Sequence, residues 1–102
     1  MAGILDRVAL VTGAGSAEGI GFATARALAA AGARVAITST TKRIFERLET
    51  LGAGHAAFTA DLTIVEDVSE LINAVQAKFG RIDIIVNNAG MVQQGTDFKS
   101  SR

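Results

Sequence analysis

The fold is decided by a glycine-rich stretch near the start of the chain: Thr12-Gly13-Ala14-Gly15-Ser16-Ala17-Glu18-Gly19-Ile20-Gly21. It follows an apolar run at 8–12 that is rich in β-branched residues, and it precedes an alanine-rich segment with apolar residues at helical spacing. Glycines here let backbone approach a pyrophosphate closely and let a helix pack tightly on its strand. Free N–H groups at the start of that helix then meet the phosphate charge. The stretch predicts a strand-to-helix turn that binds a dinucleotide.

The spacing of the glycines departs from the Gly-x-Gly-x-x-Gly fingerprint. Gly13 and Gly15 fit it, but the next glycine is Gly19, one position late. A phosphate loop of the nucleoside-triphosphate type is a poorer match, because no Gly-Lys-Ser/Thr follows. The alternative is a tight turn without a ligand, and four glycines within 13–21 count against it.

Strands and helices alternate along the rest of the chain. The apolar runs and periodic segments predict strands at 8–12, 34–38, 55–60 and 82–87, and helices at 19–31, at 42–51 and from a capping box of Thr63 and Glu66 to Phe79. Right-handed crossovers between such units give a parallel sheet covered on both faces. We therefore expect an α/β fold, a Rossmann-type doubly wound sheet with only its first four strands in the order 3-2-1-4, and the fourth strand at an open edge.

Composition narrows the class of protein further. The 102 residues carry ten basic and ten acidic side chains, and 49% are hydrophobic, which suits one small globular unit. Zero net charge argues against nucleic acid or a membrane surface as partner. No apolar run of membrane-spanning length and no signal peptide is present, so we expect a cytoplasmic location. The absence of Cys excludes disulfides and a Cys-ligated metal, and we expect no metal site.

Three motifs at the ends of predicted strands resemble one family. Thr12-Gly13 with Gly19-Ile20-Gly21, Asp61-Leu62 after the third strand, and Asn87-Asn88-Ala89-Gly90 after the fourth are similar to the short-chain dehydrogenase/reductase family. The resemblance extends over residues 6–92. It implies a nicotinamide dinucleotide cofactor and hydride transfer between that cofactor and a small ketone or alcohol.

The resemblance also implies roles for individual residues. The glycine loop would wrap the adenine ribose and pyrophosphate, Asp61 would bind the adenine amino group, and Leu62 would flank the ring. Asn88 and the two residues after it would line the nicotinamide-side ribose, while Asn87 would tie neighbouring strands together. The expected cofactor-binding residues are Gly13, Gly15, Ser16, Gly19, Ile20, Gly21, Thr38, Ser39, Thr40, Asp61, Leu62, Asn88, Ala89 and Gly90.

The end of the second strand favours NADP over NAD. An NAD site usually places a carboxylate there for the ribose 2′-hydroxyl, but the stretch from Thr38 to Arg43 has hydroxyl groups and two cations instead. It resembles the ketoacyl-carrier-protein reductases, which use NADPH. Glu18 favours NAD, because NADPH enzymes of the family often carry a basic residue at that position.

The catalytic residues of the family have no counterpart here. The resemblance implies a Ser and a Tyr-x-x-x-Lys pair on later elements, and this sequence contains no Tyr. His55 has no partner to orient it, so we assign no catalytic residue. We expect residues 1–102 to be the cofactor-binding half of a longer reductase, inactive alone and completed by a missing C-terminal half or another copy.

Other interpretations remain open. The chain could be a non-catalytic nucleotide-binding module or an inactive fragment. The five residues between Gly13 and Gly19 resemble the enoyl-carrier-protein reductases, although those usually lack the Asn-Asn-Ala-Gly motif.

Overall fold

The computed structural model describes residues 3–88. The elements in chain order are β1 (Val8–Thr12), α1 (Ile20–Ala30), β2 (Arg34–Ser39), α2 (Ile44–Leu51), β3 (Ala56–Thr59), α3 (Val65–Phe79) and β4 (Ile84–Asn87). Every predicted element is present, but most bounds differ by one or two residues. The largest differences are α2, which begins after a turn at 41–43 closed by the bond from the Ile44 N–H to the Thr41 carbonyl, and β4, which begins at Ile84.

The four strands form one parallel sheet in the order β3-β2-β1-β4. This confirms the predicted Rossmann-type doubly wound topology. The register places Leu10 of β1 opposite Ala36 of β2 on one side and Ile85 of β4 on the other. β1 is buried along its whole length because it lies inside the sheet with helices on both faces.

Two apolar clusters cover the two faces of the sheet. On one face, Val11, Val35 and Ile37 pack with residues of α1 and α2, including Ala25 and Ile44. On the other, the side chains come from the sheet and from α3, namely Val8, Leu10, Ala36, Ala60, Leu71 and Val75. The alternation along β1 follows the period of two expected of a strand.

The two faces of the edge strand β4 differ in how well other side chains cover them. Val86 packs against the cluster under α1 and α2. Ile85 lies on the opposite face with its register partner Leu10, and it is 58% exposed. Val65 and Val68, near the start of α3, are also exposed. On the α3 face of the sheet, the Ile85 side chain therefore stays largely exposed among residues 3–88.

Asp83 joins the amino ends of β1 and β4. Its backbone N–H donates to the Val8 carbonyl at 2.8 Å, and its carboxylate accepts from the Val8 N–H at 2.9 Å. Arg81 lies 2.9 Å and Arg7 3.6 Å from the same carboxylate. The bond from Val8, followed by that from Arg81, holds the pKa of Asp83 below its usual range. A charged contact thus fixes the register at this end of the sheet.

The predicted capping box at the start of α3 is wrong. The N-cap residue is Ile64, and it makes no side-chain capping bond. The Thr63 hydroxyl instead donates to the Asp61 carboxylate at 2.6 Å, a shorter-range partner that removes it from the helix terminus. α3 ends as predicted at Gly80, whose left-handed backbone (φ 86°) a side chain would oppose.

Candidate functional site

The carboxyl ends of all four strands meet at one edge of the sheet, as in any parallel arrangement. β1 leads into the glycine loop, β2 into the Thr40–Arg43 turn, β3 into Asp61 and β4 into Asn88. The three sequence motifs therefore converge on this edge. Ala89 and Gly90 lie outside the described residues, so their expected contacts stay predictions.

Two glycines of the loop lie in close contact with neighbouring segments, one against backbone and the other against a side chain. A Cβ on Gly21 would overlap the carbonyl oxygen of Gly13, because the first turn of α1 lies directly against the end of β1. A Cβ on Gly15 would lie 2.9 Å from the Ser39 Oγ, so the loop also passes tightly over the end of β2. The Ala14 N–H donates to the Thr38 carbonyl at 3.1 Å and fixes this approach. The loop is therefore packed against the first turn of α1 on one side and the end of β2 on the other.

The segment from Ser16 to Gly19 closes a small turn before α1. The Gly19 N–H donates to the Ser16 carbonyl at 3.2 Å, and the Glu18 N–H approaches the Ser16 Oγ at 3.4 Å. Gly19 is the N-cap of α1 and provides no side chain to cap it. The turn thus absorbs the longer spacing and leaves the helix N-terminus, from Ile20 onward, without a side-chain cap. Such a terminus suits an anion.

A threonine clamp joins β1 to the end of β4. The Thr12 hydroxyl donates to the Asn87 Oδ1 at 2.9 Å and accepts from the Asn88 N–H at 3.0 Å. Asn87 thereby links neighbouring strands, and the backbone of Asn88 is fixed at the edge. The Asn88 Nδ2 is buried without an acceptor among residues 3–88. A buried donor of this kind needs an acceptor, which a ribose hydroxyl would provide.

Asp61 is a preorganised acceptor. Its Oδ1 accepts from the Thr63 hydroxyl at 2.6 Å and from the Thr63 N–H at 3.0 Å, and these bonds hold its pKa below the usual range. The Asp67 carboxylate accepts from the Asp61 N–H at 2.9 Å. Leu62 is half-buried against the α3 cluster. Sequence reasoning missed Thr63 and Asp67 as supports of Asp61, although an Asp with Thr two residues later is a recognisable turn signal.

The hydroxyl groups at the end of β2 differ in accessibility. Thr38 is buried, and its Oγ1 has no partner within the described part of the chain. The Ser39 hydroxyl is bonded to Thr41. Thr40 is exposed, as are Lys42 and Arg43, neither of which forms an ion pair with any residue between 3 and 88. No carboxylate lies in this turn.

His55 lies away from the motifs, at the amino end of β3. Its Nδ1 accepts from the Val35 N–H at 3.0 Å, and burial lowers the pKa of the imidazole. It lines an open groove of about 610 Å³ between α1 and α2, together with Arg26, Thr50 and Leu51. The bond to Val35 gives His55 a structural task at this end of the sheet.

Residues 3–88 contain no cluster of three or more side chains that could hold a metal ion. None of the described helices is long and apolar enough to cross a membrane. The residues at the carboxyl edge do fit a dinucleotide. Backbone packed against Gly21 leaves no room for a Cβ, the N-terminus of α1 has no side-chain cap, and the Asn88 amide needs an acceptor.

A parallel sheet with a glycine turn after β1 and polar groups at the adjacent strand ends defines a dinucleotide-binding protein of the Rossmann type. The family profile described as short chain dehydrogenase matches residues 7–101. The chain therefore belongs to the short-chain dehydrogenase family.

Curated relatives include reductases and dehydrogenases. The chain is 42% identical over 90 residues to hydroxynaphthalene reductase of Aspergillus fumigatus, covering 83% of this chain and 32% of that protein. It is 43% identical over 91 residues to D-threitol dehydrogenase of Mycolicibacterium smegmatis, covering 85% and 34%. It is 38% identical over 88 residues to 3-oxoacyl-[acyl-carrier-protein] reductase of Escherichia coli, covering 85% and 35%. The chain thus spans about a third of the length of these relatives.

Solved structures that are similar to this chain also include reductases. Actinorhodin polyketide ketoreductase with NADPH superposes with a TM-score of 0.78 at 37% identity, over 83% of this chain and 33% of that one. The 3-ketoacyl-(acyl-carrier-protein) reductase of Brucella melitensis, complexed with NADH, superposes with a TM-score of 0.76 at 35% identity, over 80% and 34%. The predicted family and fold are confirmed.

Proposed function

We propose that this chain is the cofactor-binding half of an NADP(H)-dependent oxidoreductase that transfers hydride between the cofactor and a small ketone or alcohol, similar to the 3-oxoacyl reductases. The observation that carries the proposal is the convergence of the glycine loop, Asp61 and Asn88 on one edge of the sheet. Relatives named as reductases, and neighbours with NADPH and NADH, support the same chemistry.

Each group at the edge has a task in this proposal. The first-turn N–H groups of α1 bind the pyrophosphate, and Gly15 and Ser16 contact the adenosine side. Asp61 accepts from the adenine amino group through Oδ2, because Oδ1 is already bonded to Thr63. Asn88 binds the nicotinamide-side ribose, followed by Ala89 and Gly90. When bound, the nicotinamide supplies or accepts the hydride.

The preference for NADP(H) depends on the turn after β2. A 2′-phosphate carries negative charge, and the exposed groups of this turn include the Thr40 hydroxyl, Lys42 and Arg43. A carboxylate there would repel it, and none is present. Among the structural neighbours, one contains NADPH and another NADH, so both cofactors have a precedent on this fold.

The groups that protonate the carbonyl oxygen lie outside this chain in the proposal. The sequence has no Tyr, and the chain spans about a third of its relatives. A further segment, in the same polypeptide or another, would supply the Ser, Tyr and Lys and cover the exposed face around Ile85. The chain alone is then inactive, and a cytoplasmic location stays a prediction.

The test is a paired binding and activity assay on the purified 102-residue chain. We expect saturable binding of NADPH, measured by nicotinamide fluorescence, and no oxidation of NADPH in the presence of a 3-oxoacyl thioester or another ketone. A folded chain that binds neither NADPH nor NADH would contradict the cofactor assignment. Turnover by the chain alone would contradict its assignment as an incomplete catalyst.

The absence of Tyr favours a second candidate, a nucleotide-binding module without catalysis. The two candidates differ in what the coding sequence contains beyond Arg102. A downstream Ser and Tyr-x-x-x-Lys supports the oxidoreductase. A stop codon there, together with NADPH binding, supports the module.

A further inference from the structure

The hydroxyl of Ser39 forms its hydrogen bonds within the turn that follows β2. Ser39 Oγ donates to the Thr41 carbonyl oxygen at 3.1 Å and accepts from the Thr41 N–H at 3.3 Å. A serine hydroxyl has one proton to donate, and phosphate oxygens at this site can only accept. Ser39 therefore cannot donate to a 2′-phosphate unless the turn that follows β2 first breaks its bond to the Thr41 carbonyl.

Ser39 also contacts the two neighbouring strand ends. The side chain fills the space that a Cβ on Gly15 would need, with Oγ at 2.9 Å and Cβ at 3.0 Å from that position. The Ser39 carbonyl accepts from the N–H of Ala60, the residue immediately before Asp61, at 3.0 Å. One residue thus meets the glycine loop through its side chain and the end of β3 through its backbone.

We propose that Ser39 is a positioning residue of the cofactor site, which holds the Thr40–Thr41 turn and the glycine loop in place and gives no hydrogen bond to the 2′-substituent. Recognition of a 2′-phosphate then belongs to the exposed groups of the turn, Thr40, Lys42 and Arg43. This inference deepens the proposed function and depends on it. It assigns a different task to a residue that sequence reasoning counted among the cofactor ligands.

The test compares Ser39→Ala with Thr40→Ala and measures dissociation constants for both NADPH and NADH. Ser39→Ala loses the bonds that fix the turn, so we expect both cofactors to bind about fivefold more weakly, with the NADPH-to-NADH ratio unchanged. Thr40→Ala is the matched control and should weaken only NADPH. Circular dichroism confirms that each variant is folded.

The outcomes separate the possibilities. If Ser39→Ala weakens NADPH and leaves NADH unchanged, Ser39 is a phosphate ligand and the inference is wrong. If it changes neither, the hydroxyl does not position the site, which also overturns the inference. If the unaltered chain binds neither cofactor, the proposed function fails instead.

A double-mutant cycle tests the contact with Gly15 independently of any cofactor. Gly15→Ala alone forces a Cβ against Ser39 and should lower the melting temperature. Ser39→Gly makes room for that Cβ, so the double variant should be more stable than the sum of the two single effects predicts. If the two single changes in melting temperature simply add in the double variant, Gly15 and Ser39 do not interact.

Discussion

At the scale of single residues, Gly21 decides whether the glycine loop can form at all. The first turn of α1 lies so close to β1 that any side chain at this position would meet the Gly13 carbonyl. The obstacle is backbone, which cannot rotate aside as a flexible side chain can. Gly21 is therefore required by contact with its neighbours, and its own backbone angle is an ordinary one.

Gly21→Ala should lower the free energy of unfolding by about 1–3 kcal/mol, the usual cost of forcing extra atoms into a packed site. It should also abolish NADPH binding, because the loop must move to admit the methyl group. Gly3→Ala is the matched control, since a Cβ there meets nothing within 4 Å. Urea denaturation and fluorescence titration measure the two effects. Wild-type affinity in Gly21→Ala would show that the loop is not the phosphate site.

His55 makes the stability of the chain depend on pH. Its Nδ1 must be unprotonated to accept from the Val35 N–H, and burial lowers the pKa of the imidazole in the folded state. A lowered folded pKa means that the stabilisation is complete above the unfolded value of about 6.5 and is lost as the pH falls through the folded value.

Asn at position 55 provides the test, because its Oδ1 can accept the same bond and does not titrate. The melting temperature of the unaltered chain should fall between pH 7.5 and about pH 5 by more than that of His55→Asn. Thermal melts across this range measure the difference. Parallel curves for the two proteins would show that the bond to Val35 does not respond to protonation of His55.

At the scale of elements, α3 begins without the cap that its sequence indicates. Thr63 and Glu66 have the spacing of a capping box, yet the Thr63 hydroxyl is bonded to Asp61 and the helix starts after Ile64. The start of α3 and the end of β3 therefore compete for one hydroxyl. The hydroxyl donates to the carboxylate of Asp61, which is only two residues away in the sequence.

Thr63→Val separates these two tasks, since it keeps the branched shape and removes the hydroxyl. The pKa of Asp61 should rise toward its ordinary value, because the Thr63 hydroxyl is the first cause of its lowering. The helix content by circular dichroism should not change. Carbon NMR of the Asp61 carboxyl measures the pKa. A loss of helicity with an unchanged pKa of Asp61 would show that Thr63 caps α3 after all.

The elements themselves could be predicted because their signals are local. Two-sided apolar runs such as Val8–Thr12 predict buried strands, and the stripe along α3 has the period of a helix. The contacts that specify the site could not be predicted, because they join distant segments. Nothing in the sequence near Ser39 shows that its hydroxyl is occupied, or that Thr12 meets Asn87 across the sheet. Hydroxyls that look equivalent in sequence differ in burial and partners.

At the scale of the whole molecule, the face beside β4 carries exposed apolar surface among residues 3–88. Ile85 is 58% exposed on the α3 side, and β4 carries three adjacent apolar residues on an edge without Pro or Lys. Natural sheets usually protect such edges. In the proposed longer protein, a further segment would cover this edge.

The isolated chain should therefore associate with itself through this face. Ile85→Thr should shift sedimentation-velocity profiles toward monomer at concentrations where the unaltered chain forms larger species. Phe45→Thr on α2, which is 44% exposed elsewhere, is the matched control and should leave association unchanged. A monomeric unaltered chain, or an equal effect of the two variants, would contradict the role given to Ile85.

In the proposed function, the carboxyl edge of the sheet binds a nicotinamide dinucleotide. Amide chemical-shift changes on titration with NADPH, recorded for the labelled chain, test it most directly. We expect saturable shifts at Gly13–Gly21, at Thr40, at Asp61 and at Asn88, with His55 and Asp83 unaffected. Shifts confined to the groove of Arg26, Leu51 and His55, or no saturable shifts in a folded chain, would contradict it.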